Sequence, residues 1–429
     1  MSRQEAPGTT GSRKSDWGRG AVWALLALYT LALLYGIARN LDRFQWDFQT
    51  YYHAGRAFAL GLDPYDMGVL SRVAGTEIGF PFAYPPLALP LFRLFARIPL
   101  DAASALFLAL KLVALTALLA IWRRWFVPGR PDPFFYLLLL FGFGGALYAD
   151  FVSGNISVFE QLGLWLSFVA LRQNRLWAFT LLVVAVSLFK LTPVLLLGLL
   201  LLCNVRRPGF ALAGGLLLFS GALGLSYALW PDLFRSFVQG GWSLDERGGI
   251  NPSSLALLRD AYDYLLGRGI VPAWEWLAWA AYVLWVGAAA LLTWRSARNR
   301  PSEDRATSIY LGCLALALIA PRFKNYSYIL LLVPAYQLLR TRISVRPERG
   351  LLLLLMLSGS PPVPFGFSTA AGEIIAGYYS LLGALLIWGL AVHSGMPAAP
   401  RGAGWKTAQA IQGPTDAGTV PPSARVSHE

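Results

Sequence analysis

The sequence predicts an all-α polytopic membrane protein with about twelve transmembrane helices. Three observations predict it. Of 429 residues, 56% are hydrophobic and 14% charged, against about 45–50% and about 25% in ordinary soluble domains. Apolar runs that approach the width of a bilayer recur along the chain. Arginine-rich short loops alternate between them, as cytoplasmic loops do. The net charge of +13 is therefore a topology signal, and no nucleic-acid partner is expected.

The elements follow in order. Arg3, Arg13, Lys14 and Arg19 place residues 1–20 in the cytoplasm as a tail. The first span, 21–38, reads as a signal anchor, because Arg39 stands where a small-residue cleavage site would be. Further spans are expected at 102–122, 134–150, 156–171, 176–189, 192–204, 209–229, 273–294, 306–320, 326–339, 350–358 and 375–392. Lys190, Thr192 and Pro193 break what would otherwise be one run from 176 to 204. Residues 85–98 are apolar but short and interrupted by Arg93, so they read as a re-entrant or interfacial helix. A thirteenth span there would turn every arginine-rich short loop outward. Twelve spans place both termini in the cytoplasm. Residues 21–394 then form the transmembrane domain, and 395–429 a disordered cytoplasmic tail rich in Gly, Ala, Pro and Thr. Two long loops, 40–101 and 230–272, face outward, and loops of that length are usually functional.

The polar chemistry gathers on that outer side. Asp47 follows the first span amid Trp46, Phe48, Tyr51 and Tyr52. An apolar setting raises a carboxylate's pKa and suits it to take a proton from a hydroxyl. The alternative is an interfacial aromatic belt in which Asp47 caps a helix over 48–60. Tyr51, Tyr52, Tyr65 and Tyr84 are suited to stacking on a sugar or seating a lipid head group. Gly61-Leu62-Asp63-Pro64-Tyr65 is a turn that stops the helix, whether or not Asp63 binds a ligand.

Gly154-Asn155 opens the span at 156–171, with Glu160 one turn in. Glu160 is either an intramembrane functional group or a local hydrogen-bond acceptor near Asn155 and Ser157. Lys190 calls for an anion, which a phosphate, Asp47 or Glu160 would supply, unless it snorkels to the surface. Lys111 reads as a snorkelling lysine. Arg322 and Lys324 cluster in a short outer loop against the usual charge bias. They either hold a phosphate or pair with outer carboxylates. Asn251-Pro252-Ser253-Ser254 reads as a helix N-terminus, which also suits an anion.

Several classes are excluded. No phosphate-binding glycine loop is present. No Asp-x-Asp occurs, the pattern by which soluble sugar-nucleotide transferases usually hold a metal. Cys203, Cys313 and three scattered histidines give no metal-ligand spacing. No metal and no cofactor are expected.

The segments Asp47 to Gly55, Gly61 to Tyr65, Phe82-Ala83-Tyr84-Pro85-Pro86-Leu87, Gly154-Asn155, Phe189 to Pro193, Asn251 to Ser254 and Pro321-Arg322 resemble glycosyltransferase family 87. They occur in family order over about residues 20–340, and the first loop is the most specific. The resemblance implies a GT-C fold in a bacterial plasma membrane. It implies transfer of a hexose, mannose, from a polyprenyl-phosphate sugar to a lipid or glycan acceptor on the outer face. Asp47 would then be the general base, acting by inversion. Lys190, Arg322, Lys324 and Tyr84 would contact the donor phosphate and lipid. Tyr51, Tyr52, Asp63, Asn155, Glu160 and Asn251 would bind sugar or acceptor. Membrane lipids are the expected surroundings and a monomer the expected state. The competing class is a transporter or flippase of lipid-linked sugars; a structural membrane protein is a third.

Overall fold

A computed structural model describes residues 44–127, 133–203, 205, 207–298, 305–342 and 370–394, with isolated helical positions at 24, 27, 28, 31 and 35. The regular structure among them is helical throughout. The expected spans at 21–38 and 350–358 and the tails 1–20 and 395–429 lie largely or wholly outside the described residues.

The region 44–98 is a small helical layer with a core of its own. It comprises α1 (Trp46–Ala59), α2 (Met67–Ala74), a 3-10 turn (Pro86–Ala88) and α3 (Leu89–Phe95). Phe48, Tyr51, Phe82, Tyr84, Phe92 and Phe107 pack its interior in stacked, tilted and edge-to-face ring pairs. Helix α3 lies against α1, and Gly55 makes the approach possible. A Cβ there would sit 2.5 Å from the backbone of Phe92. Residues 85–98 therefore form a seven-residue helix on the protein surface with Leu91 and Leu94 exposed, far too short to cross a bilayer.

The remaining helices are apolar. They are α4 (Leu100–Ile121, continued by a π-turn Trp122–Phe126), α5 (Pro133–Ser153), α6 (Ser157–Arg172) and α7 (Leu176–Ser187). A 3-10 segment, Thr192–Gly198, leads into the short α8 (Leu199–Leu202), then α9 (Pro208–Leu229). The region 230–272 is also helical, with α10 (Pro231–Ser243) and α11 (Ser254–Gly267). After α12 (Trp276–Arg298) and α13 (Arg305–Ile319), a 3-10 segment Asn325–Leu331 feeds α14 (Leu332–Arg342); α15 spans Ala370–Ser394.

Five of these helices are long and apolar enough to cross a membrane: Leu100–Phe126, Phe134–Ser153, Pro208–Leu229, Trp276–Arg298 and Ala376–His393. Their surroundings differ. Helix α9 exposes large side chains, with Phe210 71% and Leu217 74% accessible, as a lipid-facing helix does. Helix α13 buries nearly every side chain and packs against α12 and α15. The expected break at Lys190, Thr192 and Pro193 is present between α7 and the 3-10 segment.

Two expectations are corrected. Asp47 does not cap α1: the cap position is Gln45, in the left-handed region with φ 61°, and Asp47 lies in the first turn with its carboxylate directed elsewhere. Lys111 does not snorkel. It is fully buried and paired with Asp150 at 2.7 Å. An uncompensated lysine seeks the surface, but here α5 supplies a carboxylate at its own depth.

Candidate active site

Five parts of the chain converge on one cavity of about 570 Å³. Asp47, Tyr51 and Tyr84 come from the region 44–98, Asn155 from the start of α6, and Lys190 from the break after α7. Glu246 and Asn251 come from the region 230–272, and Arg322 and Lys324 from the turn before Asn325.

Asp47 is bound by its neighbours rather than free. Asn155 Nδ2 donates to Asp47 Oδ2 at 2.7 Å and also to Tyr51 Oη at 2.8 Å. The Tyr51 and Tyr84 hydroxyls share a hydrogen bond of 2.7 Å. Desolvation raises the pKa of Asp47 above the usual carboxylate value; the Asn155 hydrogen bond and the charges of Lys324, Lys190 and Lys111 act against that rise. Burial pushes both tyrosines up as well, so they stay protonated at neutral pH.

From Asn155 the network continues inward. Ser157 Oγ donates to Asn155 Oδ1 at 3.0 Å and accepts from Lys190 Nζ at 2.6 Å. Lys190 Nζ also meets Glu160 Oε2 at 2.7 Å and stands over the Tyr326 ring at 4.8 Å. Lys190 thus finds the anion that the sequence requires. Glu160 bonds to Lys190 rather than to Asn155 or Ser157.

Arg322 and Lys324 are organised by one carboxylate. Arg322 places Nε and Nη2 on Glu246 Oε2 at 2.9 and 2.6 Å. Lys324 Nζ meets Glu246 Oε1 at 2.8 Å. Burial, and secondly the nearby Arg322 charge, lower the pKa of Lys324; Glu246 opposes that shift. Asn251 holds this assembly together. Its Oδ1 accepts from Phe323 N at 2.9 Å and its Nδ2 donates to Glu246 O at 3.0 Å. Ser253 caps α11 through Ala256 N and donates to Pro321 O at 2.8 Å. The motif from Asn251 to Ser254 is a helix start, as expected, and its side chains fasten the Arg322 turn.

A model of glycosyltransferase family 87 matches residues 82–321, more than half the chain. The chain belongs to glycosyltransferase family 87. The family match contains Tyr84, Asn155, Glu160, Lys190 and Asn251. Arg322 and Lys324 fall just past its end, and Asp47, Tyr51, Tyr52 and Asp63 precede it. Over 126 residues this family 87 chain is 39% identical to a Mycobacterium tuberculosis (strain ATCC 25618 / H37Rv) protein. That relative is the polyprenol-phosphate-mannose-dependent alpha-(1-2)-phosphatidylinositol mannoside mannosyltransferase. The chain spans 28% of the relative's length, and the match uses 28% of the chain. No solved structure matches.

Two residues singled out from the sequence point away from the cavity. Tyr52 donates its hydroxyl to Ile98 O at 2.9 Å within the core of the region 44–98. Asp63 Oδ1 accepts from Tyr65 N at 2.9 Å, and Oδ2 accepts from Ser236 Oγ at 2.7 Å. Asp63 therefore forms the expected turn and ties it to α10. The residue that sequence reasoning missed is Glu246. It lies in Asp245-Glu246-Arg247, just before the Gly248-Gly249 pair. The clustered cations at 322 and 324, for which pairing with carboxylates was one of the two readings, were the signal that could have found it.

Among the described residues no group of three or more His, Cys, Asp or Glu side chains is placed to hold a metal ion.

Proposed function

We propose that this chain is a membrane mannosyltransferase that uses a polyprenyl-phosphate-linked mannose as donor and a lipid or glycan hydroxyl as acceptor. In this reading the cavity opens to the outer face of a bacterial plasma membrane. About twelve spans carry residues 21–394, with 1–20 and 395–429 as cytoplasmic tails. The family membership and the name of the mycobacterial relative support the substrate class. The observation that carries the chemistry is the sharing of one cavity by the Asp47 carboxylate and the Lys190, Arg322 and Lys324 cations.

The acceptor hydroxyl gives its proton to Asp47, and the freed oxygen pair attacks the anomeric carbon. The bond from that carbon to the phosphate oxygen breaks from the opposite side. Its electron pair leaves on polyprenyl phosphate, so the anomeric centre inverts without a covalent intermediate. The charge that develops on the departing phosphate is stabilised by Arg322, Lys324 and Lys190. A raised pKa brings Asp47 closer to the working pH, where proton abstraction is most effective. Tyr84 and Tyr51 offer neutral hydroxyls to the sugar, and Asn155 fixes Asp47.

Purified protein is incubated with labelled polyprenyl-phosphate-mannose and a bacterial lipid extract, with and without EDTA. The expected result is a new glycosidic product that persists in EDTA and falls about 100-fold or more with Asp47→Asn. Near wild-type transfer by Asp47→Asn sinks the assignment of the base. Donor movement across vesicles with no glycosidic product indicates a flippase instead.

A further inference from the structure

The ion pair of Lys111 and Asp150 is the most deeply buried charge in the described structure that the reaction above does not use. Its side chains are 1% and 0% exposed, and neither residue lines the cavity. Replacing a buried ion pair with apolar side chains of similar volume is often neutral or stabilising. Stability is therefore a poor reason for these two charges.

Their remaining hydrogen bonds share one destination. Lys111 Nζ donates to Asp150 O at 2.6 Å and to Asn155 O at 2.8 Å. Asp150 Oδ1 accepts from Ser157 N at 3.0 Å. The pair thus grips the turn from 150 to 157 at both ends and in the middle. From the other side the turn is seated on Gln45, whose N–H donates to Val152 O at 2.8 Å. Gly154 has φ 70° there, and a Cβ would sit 2.8 Å from Gln45 Cβ. The grip has one functional output. The Asn155 amide leaves this turn toward Asp47 Oδ2, its orientation fixed by Ser157 Oγ on Oδ1.

We propose that Lys111 and Asp150 are positioning residues for the Asp47 carboxylate, acting through the backbone of the 150–157 turn and the Asn155 amide. The proposal rests on Asp47 as the base. A rigid turn matters because catalysis is sensitive to sub-ångström placement of the reacting group.

The test measures kcat and donor KM on the purified full-length protein with labelled polyprenyl-phosphate-mannose and a lipid extract as acceptor. Lys111→Met is expected to lower kcat roughly 10- to 100-fold, with donor KM within about twofold. Asn155→Ala should lower kcat comparably. The double variant Lys111→Met/Asn155→Ala should then be no worse than Asn155→Ala alone, because both act along one path. Losses that multiply in the double variant overturn the proposal, as does a kcat for Lys111→Met within about threefold of wild type. Should Lys111→Met fail to fold, Lys111→Met/Asp150→Leu removes both charges together. That variant is expected to melt as wild type does and still turn over slowly; full recovery of kcat overturns the proposal. Asp47→Asn runs alongside. An inactive Asp47→Asn with a normal Lys111→Met sinks the positioning role alone, whereas an active Asp47→Asn sinks the base and this role together.

Discussion

Asn155 Nδ2 donates to Asp47 Oδ2 at 2.7 Å, joining residues 108 positions apart. The donor stabilises the ionised carboxylate against the desolvation that raises its pKa. Asn155→Ala removes that support, so the pKa of Asp47 rises further. A general base works only when deprotonated. The acid limb of kcat/KM is therefore expected to move to higher pH, with about a tenfold or greater loss near neutrality. Much of that loss should return at alkaline pH. A profile that keeps its acid limb in place contradicts the prediction.

Burial of Asp47 carries a stability sign. Its folded pKa lies above the unfolded value, so the folded state binds its proton more tightly. That contribution is fully present at low pH and is lost as pH rises through the folded pKa. Asp47→Asn removes the cost of a buried charge near neutrality. The expected outcome is an inactive protein whose melting temperature at pH 7 is higher by about 2 °C. Thermal unfolding in detergent at pH 7 reads it, and a lower melting temperature refutes it.

Glu246 occupies Arg322 and Lys324 with its two carboxylate oxygens, the same two-oxygen face that a phosphodiester offers. In the proposed reading, donor binding displaces it. Glu246→Gln is expected to lower donor KM roughly two- to fivefold, the scale of a partly exposed ion pair. Inhibition by free polyprenyl phosphate should deepen in parallel. Arg322→Lys loses the forked contact and should raise donor KM. Initial-rate kinetics with varied donor decide both, and a raised KM for Glu246→Gln assigns Glu246 to binding instead.

Lys190 and Glu160 test separation of folding from catalysis. Lys190→Met leaves Glu160 buried without its cation, which costs about 3 kcal/mol or more. Adding Glu160→Gln should restore most of that stability. The double variant is expected to be folded yet slow, because the cation proposed to meet the phosphate is gone. Chemical denaturation and transfer assays on the two variants check each half, and a fully active double variant removes Lys190 from the reaction.

Much of this arrangement was legible in the sequence, and the reasons differ by residue. The break at Lys190, Thr192 and Pro193 was readable because proline and a charge are incompatible with an uninterrupted apolar helix. The turn at Gly61 to Tyr65 was readable from local backbone chemistry. Asp47 was marked by its aromatic surroundings. Its true partner was not, because Asn155 meets it only through tertiary packing. Lys111 was misread for the same reason: a lysine in an apolar run looks unpaired until the fold brings Asp150, at the end of α5, beside it. Tyr52 and Asp63 carry the right chemistry but face their own turn and core, and composition cannot tell an inward tyrosine from one on a cavity wall. The helical content of 40–101 and 230–272 was underestimated because those segments were too polar to read as spans.

The shortness of the segment Thr192–Leu202 has a further consequence, for the lipid rather than for the protein. A 3-10 helix rises about 2.0 Å per residue against about 1.5 Å in an α-helix. Thr192–Leu202 therefore reaches about 20 Å, instead of about 17 Å for continuous α-helix. Either length falls well short of a hydrocarbon layer of about 30 Å. Under the proposed function, a prenyl chain lying along this segment runs out of apolar wall about 10 Å sooner than beside an ordinary span. In that reading the donor's phosphate reaches Lys190 without the carrier leaving the bilayer.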